Sequence, residues 1–282
     1  MAKTDALSIL QAQSTKDKLA EKDGALIDSI QKDALSSRLK NTEYSGDPTT
    51  GSVVINRFKN SASNAYGTAR AAAKGGNILN NGKVTINIDT DKEIIEEIEG
   101  KDITMYAVQG LIDRRTANHS KRMAAELDRA FFACAEDAAT EITTTATTIE
   151  DIVEAAIQKI ETTNNDWVDG VDRADIEISL TPKAYGKLRK YVDKIDFGVG
   201  VGEEQTPLFH GARVYSNTRQ TADLVIMYHG AVAQPVSITP YDAERIGLSN
   251  AYAIELFYSF GTKAVMPDLI GKIEDIEGDE SE

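Results

Sequence analysis

The sequence has a single cysteine, Cys134. One thiol cannot close an intramolecular disulfide, so no cross-linked framework holds this fold, and a reducing compartment suits it. No apolar run approaches the roughly 18 residues of a membrane span. Met1 to Leu10 alternates polar and apolar residues and does not read as a secretory leader, so the chain is expected to be made in the cytosol and to stay there. Positive charge is short overall: 31 Lys and Arg stand against 45 Asp and Glu, a formal net charge of −14. Such a surface repels phosphate and excludes general nucleic-acid binding. Histidine is rare, and His119, His210 and His229 have no ligand spacing to one another or to Cys134, so no metal is expected. No serine sits in a nucleophile elbow, and no glycine loop carries the ending of a P-loop. Glu96 with Glu97 and Glu203 with Glu204 lie in charge runs, where neighbours in sequence point apart. Neither an enzyme nor a cofactor is expected.

A further absence is local. From Gly51 to Ile88 there is no Asp or Glu, while Arg57, Lys59, Arg70, Lys74 and Lys83 are all present. Two strand-like runs, Val53 to Phe58 and Val84 to Ile88, enclose about 25 residues of Ala, Gly, Asn and Ser with little to bury. In the return strand Val84, Ile86 and Ile88 alternate with polar residues and give one apolar face. The sign then flips through Asp89, Asp91, Glu93, Glu96, Glu97 and Glu99, read as an acidic turn into the long helix that follows. A long basic hairpin on an acidic body reads as an arm that contacts something beyond its own core, and a second copy of the chain would suffice. Arg57, Lys59, Arg70, Lys74 and Lys83 on one side and Glu93, Glu96 and Glu97 on the other are the candidate inter-subunit contacts. Phe58 and Tyr66 are too few stacking residues for a nucleic-acid groove.

What remains reads as mixed α and β. Up to Lys40, scattered Leu and Ile among many charges suggest short amphipathic helices or an arm that folds against a partner. Ser45-Gly46-Asp47-Pro48 is turn chemistry. The spacing from about Thr104 to Ala139 predicts one helix of roughly 50 Å with a polar middle, Asp113 to Arg122. Such a rod lies on a surface and bridges two units. After the low-complexity boundary Thr143 to Thr148, Ile149 to Ile160 forms an amphipathic helix that ends near Asn164 and Asn165, read as left-handed turn residues. Ile176, Ile178 and Leu180 mark a strand. Thr181-Pro182 starts another helix with Tyr185, Leu188, Tyr191 and Val192 on its apolar side. The loop Phe197 to Gly202 lacks the spacing of a phosphate-binding glycine loop. Leu224 to Tyr228 reads as a buried strand, and Tyr252, Ile254, Leu256, Tyr258 and Phe260 as a period-two face. Ala264 to Met266 and Ile270 to Ile276 close the fold, and the acidic end is a solvated tail.

The order of these parts resembles tailed-bacteriophage major capsid proteins of the Hong Kong 97 type across nearly the whole chain. The stretches that carry the likeness are Val84-Thr-Ile-Asn-Ile-Asp-Thr, the helix around Ile112-Asp-Arg-Arg, Leu208-Phe-His-Gly-Ala-Arg-Val-Tyr-Ser, and Tyr252 to Ile273 with its Thr262-Lys-Ala-Val-Met-Pro turn. The resemblance implies an α+β capsid fold: an N-terminal arm (1–43), an extended loop (44–88), a peripheral domain with the spine helix (89–143 and 236–262), and an axial domain (144–235 and 263–282). Gly198, Gly200 and Gly202 would face the capsomer axis. It further implies self-assembly into hexamers and pentamers of an icosahedral virion shell that encloses double-stranded DNA without reading its sequence, assembled in the host cytoplasm. A portal is expected. Only about 50 residues precede the loop, which points to a separate scaffolding protein or none. Some relatives link a loop Lys to a neighbour's Asn, but no local motif here positions Lys59 or Lys74 for that, and no cross-linking residue is carried over. Charge reversal at Arg57 and Lys59 is expected to weaken assembly, most at high salt. The alternatives are an encapsulin-like cellular shell and a cytosolic α/β enzyme or binding module.

Overall fold

The computed structural model describes residues 33–61, 63, 65–67, 81–99, 108–195, 208–245 and 251–276. In chain order these form α1 (Ser36–Leu39), β1 (Ser52–Phe58), β2 (Asn81–Asn87), β3 (Thr90–Glu99), α2 (Val108–Ala138), β4 (Thr140–Glu141), α3 (Ile149–Glu161), β5 (Ile176–Leu180) and α4 (Pro182–Ile195). There follow β6 (Leu208–Phe209), β7 (Ala212–Ser216), β8 (Leu224–Tyr228), β9 (Val232–Ala233), β10 (Val236–Arg245), β11 (Ala251–Phe260), β12 (Lys263–Ala264) and β13 (Ile270–Ile273). The leucine-bearing segment before Asp33, Arg70, Lys74, the Gly198 to Gly202 loop and the acidic end after Ile276 lie outside the described residues.

The largest sheet has six strands in the order β4-β13-β8-β5-β7-β6, with β5 parallel to β7, β13 parallel to β4, and the other pairs antiparallel. Its two faces bury different partners, because side chains alternate along a strand. Ile176, Ile178, Leu180, Val214, Leu224 and Ile226 meet the apolar stripe of α3 (Ile152, Val153, Ala156, Ile157, Ile160) and of α4 (Ala184, Leu188). Val225, Met227 and Ile270 face the other way, onto Phe131, Phe132 and Ala135 of α2 and Leu39 of α1. A sheet covered on both sides explains why all five residues of β5 are buried, Glu177 and Ser179 included.

The caps follow from local chemistry. Thr181 accepts the Ala184 N–H at 3.4 Å, Pro182 takes the first turn of α4, and the Thr181 hydroxyl donates to Asp223 at 2.8 Å. Asp47 accepts the Thr49 N–H at 2.9 Å and starts the short 3₁₀ turn Pro48–Thr50 that delivers the chain to β1. Two expectations at this level change. Val192 is one of the exposed large apolar residues and does not complete the apolar side of α4. Asn165 is not left-handed: its side-chain oxygen accepts from the Trp167 and Val168 N–H groups at 2.8 and 3.0 Å, an Asx turn that folds the α3–β5 loop back on itself.

The acidic stretch after the hairpin is the main correction. It is no turn into the helix but the ten-residue strand β3, paired antiparallel along its whole length with β11 in a three-stranded sheet β10-β11-β3. Edge position makes the charge tolerable, since one face of β3 meets water and repels other strands. On the opposite edge, β10 slips register between Thr239 and Asp242, where Pro240 has no N–H to give to the ladder. Helix α2 spans 31 residues, roughly 46 Å. It touches both sheets: Glu126 accepts from the Tyr258 hydroxyl of β11 at 2.6 Å, and Phe131 and Phe132 enter the core beneath the six-stranded sheet. Its polar middle is not solvated throughout, for His119 and Ser120 are 1% and 0% exposed.

Candidate assembly surface

The hairpin forms by the predicted alternation. Strands β1 and β2 pair antiparallel, with Val53 opposite Ile86, Ile55 opposite Val84 and Arg57 opposite Gly82. Residues of one parity share one face. Val53, Ile55 and Ile86 are buried with Ala233 and Val265, and Lys263 donates to the Thr85 carbonyl at 2.9 Å, so the root is fixed to the body. The same inward face continues past this small core with Arg57 and Lys59, and there it meets the α3–β5 loop. Arg57 holds Asp268 through two hydrogen bonds of 2.5 and 2.7 Å, and Asn165 donates to the same carboxylate at 2.8 Å. Lys59 pairs with Asp166 at 2.7 Å, and the Asn60 N–H donates to the Asp166 carbonyl at 2.8 Å. Both cations lie over the Trp167 ring, whose centroid is 5.1 Å from the Arg57 guanidinium carbon and 5.2 Å from Lys59 Nζ. A Cβ on Gly82 would lie 3.0 Å from the indole, so glycine there is what lets the ring approach. Lys59 keeps the Asp166 carboxyl below the usual range; at Asp268 burial pulls upward, and Arg57 and Asn165 outweigh it.

The acidic candidates divide in the same way. Glu96 turns inward, where Arg115 of α2 holds both its oxygens and His119 Nε2 lies 3.1 Å away. With that carboxylate engaged by Arg115, burial and the adjacent guanidinium hold the imidazole neutral, its pKa lowered to about 4. Glu93 and Glu97 are exposed, on the face that also exposes Ile95 and, from β11, Phe257. Lys83 is exposed as well, on the outward face of the hairpin. The structure thus gathers Arg57 and Lys59 in one place, Glu96 in another, and leaves Lys83, Glu93 and Glu97 facing solvent.

Sequence reasoning passed over several residues that hold this arrangement. Trp167 is the only tryptophan, which was the one available signal. Asp128, 2% exposed, accepts the Leu35 and Ser36 N–H groups at 3.2 and 2.8 Å and pairs with Arg219 at 2.5 Å, fastening the segment around α1 to α2. Gln234, 1% exposed, donates to the Leu127 carbonyl and to Thr262. Glu154 binds Arg173 and His210; chiefly through Arg173, and against the pull of burial, its pKa falls to about 2. His210 has φ 49° and Gly211 φ 96°, the two-residue turn between β6 and β7. Beside the hairpin root lies a cleft of about 520 Å³ with Ile55, Val168, Val265 and Leu269 in its wall and Glu43, Asp169 and Asp172 at its polar side. Among the described residues, no group of three or more His, Cys, Asp or Glu is arranged to hold a metal ion, and no helix is long and apolar enough to cross a membrane.

The described residues form an α+β body in which one long helix bridges a three-stranded and a six-stranded sheet, with a two-stranded hairpin at its side. No protein-family model and no curated protein matches the sequence. Solved structures do match the fold. A chain from Mycobacterium phage Che8 has a TM-score of 0.64 at 17% identity, covering 87% of this chain and 92% of that one. The capsid structure of cyanophage P-SCSP1u gives 0.59 at 14% identity, covering 86% and 88%. A virus-like particle from Pyrococcus furiosus gives 0.57 at 13%, covering 90% and 98%. The chain has the Hong Kong 97-like α+β fold, shared with these structures over 86–90% of its length.

Proposed function

We propose that this chain is the major capsid protein of a tailed phage, a structural protein that assembles into hexamers and pentamers of an icosahedral shell around double-stranded DNA. The observation that carries the reading is the coverage: the likeness to solved phage structures spans about nine tenths of both chains. Residues 1–43 are then the arm and 44–88 the extended loop; 89–143 with 236–262 form the peripheral domain, and 144–235 with 263–282 the axial domain. Pairing of β3 with β11 and of β11 with β10, and of β12 with β9 and β13 with β8, supports that division. The shell closes by head-to-tail contacts, for which a projecting arm and a distinct receiving surface suffice. Lys83, Arg70 and Lys74 of one copy meet Glu93 and Glu97 of the next. A portal and a separate scaffolding protein assist in the host cytoplasm, and no catalysis is assigned.

The test is negative-stain electron microscopy with size-exclusion chromatography, on the protein alone and co-expressed with its neighbouring genes. Closed shells, or hexamers and pentamers, are expected. A persistent monomer or dimer under both conditions overturns the assignment. The likeness to the Pyrococcus furiosus particle supports a second reading, a cellular shell. Nuclease-protected DNA in native particles distinguishes the first reading, and a protein cargo the second.

A further inference from the structure

The inward face of the hairpin has two different backings. Near the root it is ordinary core, Val53 and Ile55 against Ile86. One residue pair further out the core has ended, and the face is backed by the α3–β5 loop, which belongs to the unit containing the six-stranded sheet. The contact is built of parts that fit one another. Gly82 supplies the space, Trp167 fills it, Arg57 and Lys59 lie over the ring, and Asp268 and Asp166 hold the two cations. The loop itself is fixed, because the Asn165 side chain closes its turn and Glu161 and Thr163 accept from Val171 and Gly170. The open cleft is lined by Arg57 and Phe58 of the hairpin and by Trp167 and Val168 of the loop, so packing between the two is incomplete beside the seat. Phe58, next along the strand, is 53% exposed and does not anchor them.

We infer that the 164–168 loop is a seat that sets the direction in which the hairpin leaves the body, with Trp167 as the positioning residue. The partner it receives is the chain's own hairpin, through two cation–aromatic contacts to one ring. The consequence for assembly rests on the shell reading above: a seat on the unit of the six-stranded sheet couples the aim of the arm, and so the angle between neighbouring copies, to that unit. Each contact is partly exposed, so the seat holds by the sum of several weak attractions. Removing the ring frees the hairpin without unfolding the body.

The measurement is amide hydrogen exchange on unassembled wild-type, Trp167→Ala, Trp167→Phe and Arg57→Gln/Lys59→Gln protein, followed by particle sizing of whatever each assembles into. In Trp167→Ala, exchange in 52–58 and 81–87 rises about tenfold while 176–180 and 224–228 stay as in wild type. Trp167→Phe retains most of the protection, and the double variant resembles Trp167→Ala. Unchanged hairpin exchange in Trp167→Ala overturns the seat. So does a rise shared equally by the body strands, which marks Trp167 as an ordinary stability residue. If the exchange pattern holds but wild type forms no shell, the seat stands and the shell reading falls. If wild type does assemble, Trp167→Ala gives particles of mixed size or open sheets.

Discussion

Replacing Asp128 with alanine removes a side chain that joins the segment around α1, helix α2 and the loop before β8. Three donors lose their acceptor: Leu35 N–H, Ser36 N–H and the Arg219 guanidinium. Ser36 is fully buried, so its N–H stays dry and unbonded, which costs about 1–3 kcal/mol. Breaking a fully buried ion pair costs about 3–5 kcal/mol, but Arg219 is 26% exposed and regains some water. Relief of the desolvation borne by the carboxylate offsets a further part. The net is about 3 kcal/mol. At roughly 2–4 °C per kcal/mol the melting temperature falls by about 6–12 °C. Thermal and urea unfolding of unassembled protein measure it, and Arg219→Ala alone lowers stability less, because it leaves both backbone bonds in place. A loss below about 1 kcal/mol for Asp128→Ala, or the reverse ranking, refutes the reasoning that these buried bonds fasten the N-terminal segment.

Two further outcomes are expected. A Cβ on Gly261 would lie 1.9 Å from the Asn87 carbonyl oxygen, and on Gly271 2.5 Å from the end of the Ile142 side chain. Backbone cannot turn aside as a side-chain tip does, so Gly261→Ala costs more than about 3 kcal/mol and Gly271→Ala roughly 1–2, read by urea unfolding; equal losses contradict this. His119 is held neutral to about pH 4, whereas in the unfolded chain it charges near 6.5. Between those values the unfolded state binds more protons, so stability falls on acidification by at most about 1.4 kcal/mol per pH unit from this group. His119→Asn flattens the pH dependence across that window only, and matching slopes for the two proteins would remove the argument.

Legibility tracked how far each decision was local. The Val84-Thr85-Ile86 alternation, the Ile149 to Ile160 stripe and Thr181-Pro182 each name an element through residues within a turn or two, and each element is there. Strand β3 was misread because Asp and Glu are poor strand formers, and what makes it a strand is β11, some 160 residues away in sequence. His119, Asp128, Gln234 and Glu177 are polar letters, and periodicity counts polar as outside; burial is granted by partners that a pattern cannot contain. Trp167 carries no local signal of its role because its contacts, Arg57, Lys59 and Gly82, come from a hairpin far upstream.

That last contact changes where salt should matter. A basic arm in a chain of net charge −14 suggests that its cations serve the neighbouring copy. Yet Arg57 is 13% exposed and neutralised by Asp268, and Lys59 has Asp166 at 2.7 Å. Reversing either charge puts two like charges within one ion-pair distance inside the subunit, so the first effect is on the hairpin's footing. A bidentate, half-buried pair is poorly screened, so Arg57→Glu impairs assembly at low and high salt alike. Lys83 has solvent around it and faces outward, and its attraction to Glu93 or Glu97 of another copy is worth about 0.2–1 kcal/mol, repeated at every interface of the shell. Lys83→Glu therefore lowers shell yield most at low salt, where the lost attraction is strongest, and the gap to wild type narrows as sodium chloride rises past about 0.5 M. Light scattering of assembly against salt separates the two variants. A salt-independent defect in Lys83→Glu, or a defect in Arg57→Glu that salt removes, would reverse the assignment of inner and outer charges.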